Sequence, residues 1–394
     1  MNYRVLAIYL ICALSFGAGG ARNLALPLYA DQLGAGRGEI GLLFSTYTIA
    51  AAILSLPAGL FADRFGRRNV IVLSMLALGA SQLLAGLTTS VEVLFATQLL
   101  GGVGAGASQT ALMAALADRV PIERMGRSMG WLTLAMQTGF LAGPAIAGIL
   151  LHWLDLQQDL LVTTIPVGFA LLLALGIGAE GYRRPRRLEL GRPLRALSAQ
   201  RGFVGLIVAF LAATVLWGTY QAYIPIFGKR GLGLDGTSIG YLLAIQAVVN
   251  GATRVPAGRL LDRVTRKGVV VAVSTIGFAA GLLVLPHLHG FWTATLLLVV
   301  AIPMIATAFI AIGIVFVQMA DAESRGTAMG VYSTVLFLGL GAGPAIFAPL
   351  MNASFLAGFT ACGIAGAVLA GISLIARTEP IRRRRRAAVI PPGP

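Results

Sequence analysis

The chain has 394 residues, 57% of them hydrophobic and only 11% charged, whereas soluble domains carry about 25% charged residues, so an ordinary soluble globule is excluded. Its net charge of +15 would suit a nucleic-acid partner. The Lys and Arg residues nevertheless cluster in the breaks between apolar blocks and in the C-terminal tail, a pattern that offers no basic face to a phosphate backbone, and nucleic acid is excluded as a partner.

A membrane-spanning helix needs about 20 mostly apolar residues. Twelve blocks meet that length: 5–29, 40–62, 69–88, 91–117, 127–151, 158–179, 202–227, 237–261, 268–286, 291–319, 327–350 and 354–376. The first begins like a signal peptide, with Gly19-Gly20-Ala21 as a possible cleavage site. Its apolar pattern continues through Leu24-Ala25-Leu26, and an uncleaved first helix is expected. Cys12 and Cys362 both lie inside apolar blocks, which leaves no disulfide framework.

The break at 180–201 divides the blocks six and six and holds seven arginines, from Arg183 to Arg201. The domains are therefore expected at 1–179 and 202–376, joined by a basic linker at 180–201 and followed by a basic tail at 377–394. With the N-terminus in the cytoplasm, 25 of the 30 basic residues fall on the inner side and only Arg37, Lys229 and Arg230 on the outer side. That asymmetry predicts a multi-pass protein of the plasma membrane with both termini cytoplasmic.

The two halves repeat each other. Pro57-Ala58-Gly59, Asp63-Arg64 and Arg67-Arg68 recur as Pro256-Ala257-Gly258, Asp262-Arg263 and Arg266-Lys267, 199 residues on. Met129-Gly130 and Gly143-Pro144-Ala145-Ile146 recur as Met329-Gly330 and Gly343-Pro344-Ala345-Ile346, 200 residues on. Duplicated six-helix units in so apolar a chain point to a transporter whose working site lies between the units. In each copy the Asp-Arg phrase falls in the loop between the second and third spans. An acid among arginines there can pair with a base or with the positive end of another helix in one conformation and release it in another, as a gate requires.

The phrase resembles the signature of the major facilitator superfamily, Gly-x-x-x-Asp-Arg-x-Gly-Arg-[Arg/Lys]. Gly59, Asp63, Arg64, Gly66, Arg67 and Arg68 match it in full; the second copy keeps Gly258, Asp262, Arg263 and Arg266 but has Thr265 in place of a glycine. The resemblance covers the whole chain and implies an all-α integral membrane fold of twelve helices in two pseudo-symmetric bundles. It also implies that in the outward-open state Asp63 meets the start of the eleventh helix near Gly326, and Asp262 the start of the fifth near Gly126. Glu123, Arg124, Glu323 and Arg325 stand ready to complete two cytoplasmic latches. The run Gly139, Gly143-Pro144, Gly148, echoed by Gly339 and Gly343-Pro344, resembles the motif of the drug-exporting branch; as helix features these are kink and close-packing devices. Where that branch carries a fourth-helix arginine, this chain has Gln98, ahead of Gly101 and Gly102.

Ionisable groups within a span are costly and commonly functional. Here only Arg22 and Arg254 lie well inside one, and no Asp, Glu or His lies near a span's middle. Arg22 is expected either to meet an anionic solute or to bond helix carbonyls; Arg254 is expected to snorkel toward the inner face. The resemblance implies a cavity lined by the first, fourth, seventh and tenth helices with parts of their neighbours. Its polar candidates are Arg22, Asn23, Gln109, Thr110, Gln137, Trp217, Tyr220, Gln221, Tyr223, Gln246, Asn250 and Tyr332. Apolar walls with such groups suit an amphipathic small molecule.

No motif for catalysis, a cofactor or a metal emerges, so the chain is read as a non-enzyme. The expected activity is secondary active export of a small amphipathic compound by alternating access, from a monomer. Import or exchange of an anionic metabolite, and a non-transporting sensor, stand as alternatives. A proton is left open as coupling ion, with Asp63, Asp118 or Glu180 as its carrier.

Overall fold

A computed structural model describes residues 3–121, 124–178, 195, 198–200, 202–319 and 325–375. The expected linker and tail, with Glu123, Glu180 and Glu323, lie almost wholly outside these residues.

Among the described residues, twelve long helices account for the apolar blocks. They are α1 (Tyr3–Gln32), α2 (Arg37–Phe65), α3 (Arg67–Leu87), α4 (Val91–Ala117), α5 (Met125–Leu150) and α6, which runs from Leu156 to Gly176 with a break at Thr163. The second set is α7 (Phe203–Arg230), α8 (Gly236–Arg263), α9 (Lys267–Val284), α10 (Phe291–Met319), α11 (Arg325–Ala353) and α12 (Phe355–Ile375). Helices are the form this composition demands, because a backbone polar group left unpaired in hydrocarbon costs several kcal/mol and a helix pairs its own (~4–8 kcal/mol by water-to-cyclohexane transfer).

Eleven of the twelve are long and apolar enough by composition to cross a membrane among the described residues; α8 is the exception. It is nonetheless a continuous helix of 28 residues packed against α5 and α10. Its polar residues include Gln246, which bonds to α7, and Arg254, which reaches α5.

The helices alternate in direction, so each bundle has two ends. One, here the signature end, carries the α2–α3 and α8–α9 loops; the other is the far end. The two bundles meet along two seams related by the repeat, α2 against α11 and α5 against α8. The duplicated Gly-Pro phrases do the same job in each bundle. Gly143 on α5 sits against the Gly17 carbonyl of α1, and Gly343 on α11 against the Val215 carbonyl of α7, where a methyl group would collide with backbone. Both helices run on through Pro144 and Pro344.

The two signature loops differ where their sequences do. α2 and α3 are separated by Gly66 alone, at φ +89°, a conformation that favours glycine. In the second copy Thr265 cannot take that role cheaply. There α8 ends at Arg263, α9 begins at Lys267, and the wider turn has Val264 and Arg266 at φ −88° and −97°.

Candidate functional site

The far end is closed by contacts between the bundles. Asp31 at the end of α1 accepts from Lys229 Nζ at 2.7 Å and from Arg230, both at the end of α7. The Asp31 side chain is 5% exposed, so the two cations supply the counter-charge for a buried carboxylate. The backbone N–H of Gly38 on α2 donates to Asn352 Oδ1 on α11 at 2.6 Å, and Arg37 lies over the Phe355 ring. On the other seam Gly148 and Gly240 bring the backbones of α5 and α8 together. Sequence reading missed this clasp, although a signal was present: the repeat offset of 199 carries Asp31 onto Arg230, opposite charges at equivalent helix ends.

Beside the clasp a groove of about 310 Å³ is lined by both bundles, including Asp155, Lys229 and Asp235. Asp235 caps α8 by accepting the Ser238 N–H at 3.0 Å, and hydrogen bonding from the Ser238 side chain, with that N–H as a lesser contribution, holds its carboxyl below the usual carboxylate range.

Deeper between the bundles lies a cavity of about 20 Å³, room for about one water. Asn23 of α1, Phe140 and Pro144 of α5, Gln221 and Ile224 of α7, and Leu243 and Gln246 of α8 line it. Three polar residues expected at the cavity, Asn23, Gln221 and Gln246, are thus brought together. Tyr220 donates to Gln246 Oε1 at 2.6 Å, Gln246 Nε2 donates to Gln221 Oε1 at 3.3 Å, and Trp217 stacks on Tyr220 at 5.4 Å. The chain of bonds fixes the amides that face the cavity. The apolar wall, Phe140, Leu243 and Ile224, carried no polar signal by which sequence reading could find it.

A second group forms toward the signature end. With its amide oxygen turned to α8, Gln137 accepts from Arg254 Nε at 2.9 Å and from both other guanidinium nitrogens. Arg254 Nη2 also donates to Asn250 Oδ1 at 3.3 Å. Arg254, expected to snorkel toward the inner face, sets its guanidinium on Gln137 of the opposite bundle.

Other expected cavity residues lie elsewhere. Arg22 is 2% exposed and enclosed within the first bundle. It donates to Gln98 Oε1 at 3.1 Å and lies over the Tyr47 ring at 3.8 Å from its centroid. Its partner is a side-chain amide in place of the helix carbonyls expected of a structural arginine, and Gln98 accepts it where the resemblance implied an arginine. Gln109 is half-buried on α4 and Tyr332 stacks on Phe210 at 4.6 Å, neither lining the small cavity. Thr110 donates to the Ser55 carbonyl at 3.1 Å and Tyr223 to the Pro344 carbonyl at 3.1 Å, each joining two helices.

Of the expected gate, Arg67 Nε pairs with Asp118 Oδ2 at 3.1 Å, and Arg68 donates to the Leu175 carbonyl at 2.8 Å. Both bonds stay within the first bundle. Arg64, Asp262, Arg263 and Arg266 are exposed. The side chain of Asp63 and the environment expected for the latches at Gly126 and Gly326 lie outside the described residues.

A family model described as Major Facilitator Superfamily matches residues 8–344 and 203–391. The chain belongs to that superfamily and is a multi-pass membrane protein. It is 26% identical over 247 residues to Multidrug resistance protein 1 of Bacillus subtilis, covering 61% of each chain. Quinolone resistance protein NorA of Staphylococcus aureus is 25% identical over 150 residues, 38% of this chain and 39% of that one. The matches thus span less than two thirds of these relatives' lengths. Among solved structures, the nucleoside transporter NupG superposes with a TM-score of 0.76 at 16% identity, covering 95% of this chain and 99% of that one. A bacterial homologue of the human lysosomal transporter Spinster gives 0.75 at 16%, covering 95% and 96%.

Proposed function

We propose that the chain exports a small amphipathic organic compound across the plasma membrane by alternating access, with residues 1–179 rocking against 202–376 and both termini in the cytoplasm. In that orientation the far end faces outward. The observation that carries the reading is the small cavity between the bundles, walled by apolar side chains and set with bonded amides, beneath a closed far end. Its contracted volume belongs to one stage of a cycle in which the bundles part. The drug-exporting relatives favour efflux, and Asp63 and Asp262 are the gate residues on the cytoplasmic side. Flux from liposomes tests it: release of an amphipathic solute down an imposed gradient supports transport, and absence of flux for every solute class tested overturns it.

Exchange or import of an anionic solute is the second reading. Arg254, at the seam between the bundles, favours it over a cationic solute.

A further inference from the structure

We infer that Arg254 is the residue that recognises the transported compound and that this compound carries a carboxylate or similar anionic group on an apolar body. The inference rests on the proposed transport cycle for its purpose, but its test reads binding alone.

The placement follows from helix spacing. On α5, Gln137, Phe140, Pro144 and Gly148 recur at intervals of three and four, one face of the helix. On α8, Gly240, Leu243, Ala247, Asn250 and Arg254 do the same. The two faces run antiparallel against each other. Gly148 meets Gly240 at the far end, Pro144, Leu243 and Ala247 line the small cavity, and Gln137 meets Arg254 toward the signature end. Arg254 is seven residues beyond Ala247, about 10 Å along the axis at 1.5 Å per residue. A solute whose apolar part lies between these faces once the bundles part and the cavity widens can therefore set a charged head on the guanidinium.

The chemistry of Arg254 is incomplete as it stands. A guanidinium keeps its charge at any working pH and presents a planar fork that fits a carboxylate with two parallel hydrogen bonds. Here its partners are the neutral amides of Gln137 and Asn250. No carboxylate lies within ion-pair distance among the described residues, whereas Arg67, Lys229 and Arg230 each have one. A charge at this depth is expensive, and the two amides offset it only in part, since neither carries a counter-charge. Arg22 differs: it is sealed behind Tyr47 and Gln98, beyond the reach of a solute.

Gln137 also gives recognition a consequence. It belongs to the first bundle and Arg254 to the second, so an arriving carboxylate competes for a bond that holds the bundles together. A ligand that exchanges that bond for its own favours the state in which the seam is loosened.

The test is equilibrium binding to the purified full chain with three probes of one shape: 2-naphthoate, 2-naphthamide and 2-naphthylmethylammonium. The wild type is expected to bind naphthoate at least tenfold more tightly than either of the others. Arg254→Gln should lose that tenfold and bind the amide within twofold of wild type. Arg254→Lys, which keeps charge without the fork, should fall between, and Arg22→Gln should keep the wild-type preference. Gln137→Ala removes the competitor and should tighten naphthoate several-fold, a result independent of how well the arginine variants fold. Preference for the ammonium probe, equal loss of all three in Arg254→Gln, or weaker naphthoate binding in Gln137→Ala overturns the inference. Liposome flux that persists alongside such a result would leave the transport reading standing.

Discussion

Removing one charge from the far-end clasp should open that end. Asp31→Asn keeps the size of the side chain but leaves Lys229 and Arg230 facing a neutral amide. Hydrogen bonds to a charged group are worth about 1.5–3 kcal/mol each when desolvated. The Lys229 and Arg230 side chains are 43% and 39% exposed, and screening at such exposure brings the pair to about 1–2 kcal/mol in total. That favours the open far end by about 5- to 30-fold in the ratio of open to closed molecules. The ratio can be read by electron–electron distance measurements between spin labels at His152 and His289. Both are exposed at the far end, one in each bundle, and the native Cys12 and Cys362 are buried away from the label. The longer-distance component should grow in Asp31→Asn, and added salt should move the wild type the same way. A ratio within twofold of wild type would show that the ion pairs do not hold the end closed.

Three further substitutions probe other parts of the structure. Asp63→Asn should slow solute flux while the protein still folds in membranes; wild-type turnover would remove the gate role from that residue. Gly66→Ala forces a side chain to φ +89° and should cost about 1–2 kcal/mol, seen as a lower melting temperature, whereas Thr265→Ala should cost almost nothing. Arg22→Met, which breaks the Gln98 bond and the contact with Tyr47, should lower thermal stability and leave the selectivity among the three naphthyl probes unchanged; a change in selectivity would return Arg22 to the solute path.

The fold was legible because its signals are long-range and redundant. Apolar blocks of spanning length and two phrases repeated at one offset specify twelve helices in two related bundles, whatever each side chain does. α8 shows where composition falls short, since its polar residues lower the hydropathy of a helix held by packing on both sides. The candidate site was legible only in part. Asn23, Gln221 and Gln246 meet because they lie on helices that the family resemblance implies to border the cavity. Arg22 and Arg254 could not be told apart by depth, because what separates them is helix rotation: one turns into its own bundle, the other across the seam. Rotation is set by close contacts such as Gly143 with Gly17, and these involve residues distant in sequence.

Alternating access meets its most direct test at the clasp itself. With Asp31→Cys and Arg230→Cys joined by a short thiol cross-linker that reducing agent can cleave, liposome flux should stop and return on reduction. Flux that continues at the wild-type rate with the far end tied shut would contradict transport by rocking bundles.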